Sequence, residues 1–182
     1  KQYRTVSELA TLQHNFHGRL NRRMLEGARI NPLLSGYCVH ALCGGDWVLG
    51  AGLIDIWRNP KGAVYTETAK ANQERILVMR ANPRNLYSGE QINLETFIVN
   101  ELDNFSGDLI ISLESDDGTK FWTKNENIKV NHGINISDKI DIPSDELIGK
   151  YFIKGLLKDN KGKIIYESKI PVNVYDSSSI DG

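Results

Sequence analysis

The sequence predicts an α+β chain: a helix–strand–loop–helix half over residues 1–73, then an antiparallel β-sandwich over residues 74–182. Three observations carry this reading. Leu9, Leu12, Phe16, Leu20 and Met24 recur at spacings of three and four, the period of one helix face. Gly36–Cys43 is apolar almost without a break, as in a strand covered on both sides. From Glu74 onward the pattern changes to short β-rich runs separated by turn residues.

The first helix is expected over residues 5–29. Thr5-Val6-Ser7-Glu8 fits a capping box, and Arg19, Arg22 and Arg23 suit the carbonyl end of the helix dipole. Gly27 and Asn31-Pro32 end it. In the strand that follows, Tyr37, Val39, Ala41 and Cys43 fall on one side, while Cys38 and Leu42 flank the polar His40 on the other. A glycine-rich loop (Gly44, Gly45, Gly50, Gly52) leads to a second helix from about Pro60 to Gln73, with Pro60 near its first turn.

In the second half, Arg75–Arg80, Gln91–Val99, Asp108–Glu114, Thr119–Thr123, Ile134–Ile142, Tyr151–Leu157 and Lys163–Val174 read as strands. Asn82-Pro83, Ser88-Gly89, Ser106-Gly107, Asp116-Asp117-Gly118, His132-Gly133, Pro143 and Asn160-Lys161-Gly162 separate them. Seven strands in roughly a hundred residues predict a sandwich of the immunoglobulin type. Asp176-Ser177-Ser178-Ser179 reads as a short tail.

Composition excludes several partners. A formal net charge of −1 gives no electrostatic case for nucleic acid or an anionic membrane, and no apolar run is long enough to span a bilayer. Gly44-Gly45 lacks the lysine and spacing of a phosphate loop, His14 and His17 have no third ligand near in sequence, and Asp116-Asp117-Gly118 reads as a hairpin turn; no cofactor or metal is expected. Cys38 and Cys43 are the two cysteines. On one strand their Cα atoms would lie ~16 Å apart, beyond the ~7 Å limit for a bridge, which predicts two buried thiols. The chain begins with Lys1 rather than Met, as an excised or processed segment would.

Asn31-Pro32, Gly36-Tyr37, Asp46-Trp47, Gly52-Leu53-Ile54-Asp55 and Trp57-Arg58-Asn59-Pro60-Lys61 together resemble family 2 glycoside hydrolases, the β-galactosidase and β-glucuronidase group. The resemblance implies that residues 1–73 are the last helix–strand–helix of a catalytic (β/α)8 barrel and that an immunoglobulin-like sandwich follows. It also implies a retaining mechanism with two glutamates on earlier barrel strands, so this chain would carry no catalytic residue and only a rim of the pocket. The parent's partner would be a carbohydrate substrate. Cys43-Gly44 departs from the polar residues that relatives carry there.

Asp46, Trp47 and His40 are the candidate substrate-binding residues. An indole face stacks on the apolar face of a pyranose, and a carboxylate accepts hydrogen bonds from sugar hydroxyls. Asp46 and Trp47 stand past the carboxyl end of the strand, where α/β folds bind ligands. The alternatives are a turn cap for Asp46, loop packing for Trp47, and a core or barrel-lining role for His40. Trp57 and Arg58 are expected to open the last helix and lock loop to barrel.

Two other functions fit parts of the chain. A carbohydrate-binding or adhesion sandwich would treat the first half as a linker, but a linker has no reason to carry a doubly buried strand. A complete small α+β enzyme would need a clustered nucleophile, base and acid, which are missing. The apolar helix stripe and the unpaired strand predict a homodimer or, failing that, repacking of the first half against the sandwich.

Overall fold

A computed structural model describes residues 4–43 and 52–176. The chain divides into two compact units, one ending at Gln73 and the other beginning at Glu74.

The first unit holds helix α1 (Val6–Arg29) and helix α2 (Gly62–Ala71). Thr5 caps the start of α1: its Oγ1 accepts the Glu8 amide at 3.1 Å, while the Glu8 carboxylate reaches back one residue beyond the cap to accept the Arg4 amide at 2.7 Å. The face of α1 that packs on α2 is small and polar. Gly18 meets α2 so closely that a Cβ there would lie 2.3 Å from the Ala63 carbonyl oxygen. Beside this contact Asn21 Nδ2 donates to Thr68 Oγ1 at 3.2 Å, and Arg22 binds Glu26 and Glu67 at 2.6 and 3.0 Å. Arg29 Nη1 reaches the carbonyls of Ala71 and Gln73, at 2.7 and 2.6 Å, and so caps the end of α2. Burial pushes the Glu26 carboxyl above its usual range, and Arg22 offsets only part of that.

The stripe Leu9, Leu12, Phe16, Leu20 and Met24 lies on the opposite side of α1 and is exposed; Phe16 is 58% and Met24 72% accessible. At about 100° per residue, the stripe and the packed face are diametrically placed. Helix α2 therefore leaves this stripe uncovered.

The doubly buried strand expected at 36–43 is also corrected. The segment is irregular, with Tyr37, Cys38, His40 and Leu42 exposed, and a single bridge joins Cys43 to Ile54. A strand is made by a neighbour's ladder, and among the described residues Gly36–Ala41 has none. Both cysteines are exposed and no disulfide joins them, which corrects the expectation of buried thiols. The second helix begins at Gly62 rather than Pro60, because Leu53, Ile54, Pro60 and Lys61 are held in a small bridged loop before it.

The second unit is a β-sandwich of nine strands: β1 (Arg75–Asn82), β2 (Asn85–Tyr87), β3 (Gln91–Asn100), β4 (Phe105–Glu114), β5 (Lys120–Val130), β6 (Gly133–Ile136), β7 (Ile140–Pro143), β8 (Gly149–Asp159) and β9 (Ile164–Tyr175). One sheet runs β1-β3-β6, with β7 continuing the β6 edge of β3, and the other runs β2-β9-β8-β4-β5. All pairs are antiparallel except β2 with β9. The two sheets enclose Leu77, Ile92, Leu94, Leu109, Ile111, Leu113, Ile153 and Leu157, all at most 1% accessible. Gly155 allows close approach, since a Cβ there would meet Met79 Sδ at 2.6 Å and Leu77 at 2.7 Å.

Six of the seven expected strands form, with shifted ends, and the seventh, Ile134–Ile142, is two short strands on one edge of β3. Asp117 fixes the β4–β5 hairpin by accepting the Thr119 amide at 3.0 Å and the Ser115 hydroxyl.

Candidate functional site

Asp46 and Trp47, with the glycines of their loop up to residue 51, lie outside the described residues. His40 is exposed at the end of the irregular segment, three residues before the Cys43–Ile54 bridge. This placement corrects its expected position inside a covered strand. Tyr37 holds the start of the segment by donating its hydroxyl to Asn72 Oδ1 at the end of α2.

The side of the loop that is described is organised by Asp55. Its Oδ1 accepts the backbone amides of Trp57 and Asn59 at 2.9 and 2.8 Å, and its Oδ2 accepts Asn59 Nδ2 at 3.2 Å. The Asp55 amide donates back to the Asn59 carbonyl at 2.9 Å, and Cys43 Sγ lies 3.3 Å from the Asp55 carbonyl. These bonds, the Asn59 amide foremost, hold the Asp55 carboxyl below its ordinary value. The ring turns through Arg58, whose φ of 69° is in the left-handed region. Asp55 is thus spent on its own loop, a role that reading the sequence missed. An acidic residue followed two and four positions later by free amides is the signal that could have found it.

Trp57 and Arg58 precede α2 by several residues and belong to this loop, which corrects their expected place at the head of the helix. Trp57 is 71% accessible, and Ile56 beside it is also exposed. The site side of the first unit therefore presents an indole, His40 and two thiols to solvent. Among the described residues no three His, Cys, Asp or Glu side chains group closely enough for a metal, and no helix is long and apolar enough to cross a membrane.

No family model matches the chain, and no curated protein sequence matches it. Solved structures do. The β-D-mannosidase of Dictyoglomus thermophilum superposes with a TM-score of 0.70 over 87% of this chain, at 18% identity. A β-glucuronidase from glycoside hydrolase family 2 matches over 54% of the chain with a TM-score of 0.42 at 20% identity, covering 11% of that protein. A putative β-galactosidase of Bacteroides fragilis matches over 54%, with a TM-score of 0.43 at 17% identity, covering 16% of that protein. The chain spans 19% of the mannosidase's length. At 18% identity the likeness to the mannosidase is one of fold.

Proposed function

We propose that this chain is the C-terminal part of a family 2-like glycoside hydrolase. Residues 1–73 would close its (β/α)8 barrel, and residues 74–182 would form the immunoglobulin-like sandwich behind it. The whole protein would hydrolyse O-glycosidic bonds through two glutamates on earlier barrel strands, with this part non-catalytic.

The observation that carries this reading is the two-sided character of α1. One side packs tightly on α2 through Gly18, while the opposite side offers five large apolar residues to solvent. A helix in the outer ring of a barrel has a neighbour on each flank and strands beneath, and α2 supplies one flank only. The unladdered segment 36–43 supports the same placement, since a barrel strand takes its pairing from the strands beside it. For the sandwich, Tyr151 near the start of β8 donates its hydroxyl to the Ile148 carbonyl at 3.0 Å, the arrangement known as the tyrosine corner of immunoglobulin-like domains.

In this reading Asp46, Trp47 and His40 line the substrate rim. Produced alone, the chain covers its helix stripe with a second copy. The test is the coding sequence upstream of Lys1, expressed with this chain and assayed on aryl β-glycosides. The reading expects a pair of barrel-strand glutamates and release of the aryl group that stops when residues 1–73 are removed. An initiator codon immediately before Lys1, or release by this chain alone that is lost on Asp46→Asn, overturns it.

A further inference from the structure

We propose a saccharide-binding cleft on the sandwich, separate from the barrel-side loop, built around Tyr87 and Tyr175. The two residues are 88 positions apart in sequence and directly opposite each other in the parallel β2–β9 pairing. Both project from the outer face of the five-stranded sheet, because the residues that alternate with them, Leu86 and Val174, are buried in the core. Their rings stand 6.4 Å apart, inclined at 58°, and are 40% and 50% accessible. Pro83, Asn85, Leu86 and Glu90 complete a cleft of about 380 Å³. That is the small end of the range for ligand sites.

The polar groups around these rings suit a polyol. Neither tyrosine hydroxyl has a hydrogen-bond partner within the described residues. Asn173 Nδ2 donates to Asn85 Oδ1 at 2.8 Å, which fixes the Asn85 side chain and leaves its amide group available. Glu90 uses Oε2 to accept the Tyr87 amide at 2.8 Å and keeps Oε1. Two donor–acceptor hydroxyls, the Asn85 amide donor and a carboxylate oxygen therefore surround two apolar ring faces. A phosphorylated ligand is disfavoured by Glu90, the single charge in the cleft. A purely apolar ligand would strand the amide and hydroxyls without partners. A neutral pyranose chain satisfies both demands: its C–H faces lie on the rings while its hydroxyls meet the polar rim. The cleft is also pre-ordered, since Ser144 Oγ donates to the Glu90 carbonyl at 2.6 Å and Ser88 N to the Tyr175 carbonyl at 2.9 Å. Binding then costs little chain ordering.

This site stands on the sandwich alone and does not depend on the glycosidase reading. The experiment titrates the full chain with mannohexaose, cellohexaose and laminarihexaose, each to about 10 mM, while following backbone amides by NMR. The expected result is saturable shifts at Tyr87–Glu90 and Asn173–Tyr175 with at least one of the three, at a dissociation constant below about 1 mM. Tyr87→Ala and Tyr175→Ala should each weaken it about tenfold. Tyr175→Phe, which keeps the ring, should weaken it less and guards against a folding artefact. Absence of saturable shifts with all three sugars overturns the proposal. So do shifts that Tyr87→Ala and Tyr175→Ala leave unchanged, or a proline-rich peptide that occupies the tyrosines when no sugar does.

Discussion

The two units use apolar residues in opposite ways. In the sandwich, alternation along each strand sends Leu109, Ile111 and Leu113 into the space between sheets, and each ends at most 1% accessible. In the helical unit, an equally regular stripe along α1 ends on the outside. The difference is one of partners. Each sheet finds its cover in the other sheet, within the same hundred residues or so of chain. The stripe of α1 has a helix beside it, α2, but on the wrong side. Periodicity therefore reports which face is to be buried and is silent about what buries it.

The comparison breaks most directly through mutation on either side of it. Leu113→Ala in the sandwich core should cost about 2–5 kcal/mol in denaturant unfolding, as a fully buried leucine does. Phe16→Ser on the stripe should stay within about 0.5 kcal/mol in dilute solution, where the stripe is bare, the usual scale for a surface substitution. A larger loss for Phe16→Ser that grows with protein concentration would show the stripe covered by a second copy. Light scattering over a concentration series reads the same point, and Phe16→Ser should then lower the associated fraction.

A smaller effect is expected where the helices touch. Gly18→Ala places a methyl group against the Ala63 carbonyl, and overpacking of this kind costs about 1–3 kcal/mol. Amide exchange should speed up across α1 and α2 while the strands keep their protection. Equal loss in both units would mean that they unfold as one.

Much of the fold was legible because most of its determinants are local. The Thr5 cap, the Asp-Gly hairpin and the alternating strands each specify structure within a few residues. Three parts were not legible for physical reasons. Residues 124–130 of β5 read as polar because the strand is an edge, where Lys124 and Glu126 pair at 3.7 Å instead of meeting a second neighbour. Residues 36–43 look like a strand by composition, but composition cannot supply a ladder. The Tyr87–Tyr175 pair comes together through a parallel register between chain segments 88 residues apart, and nothing near either residue marks it. Of the residues in this region, His40 could be singled out as the polar exception in an apolar run, while Asp55, the best-bonded carboxylate of the loop after it, reads as one acid among several.

The smallest effect sharpens the comparison by finding where the units behave alike. Each holds a loop wound on an aspartate: Asp55 with the amides of Trp57 and Asn59, and Asp117 with the Thr119 amide and the Ser115 hydroxyl. Both carboxyls sit below the ordinary value. For Asp55 the Asn59 amide is the main cause, and for Asp117 it is the Ser115 hydroxyl. A lowered folded pKa means that the stabilisation is present above the unfolded value, about 3.9 for aspartate, and is lost as pH falls through the lower folded one. Amide protection at Asn59 and Thr119 should therefore hold at neutral pH and fall away in acid below that range. Asp55→Asn keeps an oxygen for the two amides and removes the charge, so protection at Asn59 should drop modestly and lose its pH dependence. Because each loop closes on itself, neither transition should depend on whether the α1 stripe is covered. An Asn59 transition that moved with protein concentration while the Thr119 transition stayed fixed would tie the Asp55 loop to whatever covers α1, and the comparison would then extend from the helix to that loop.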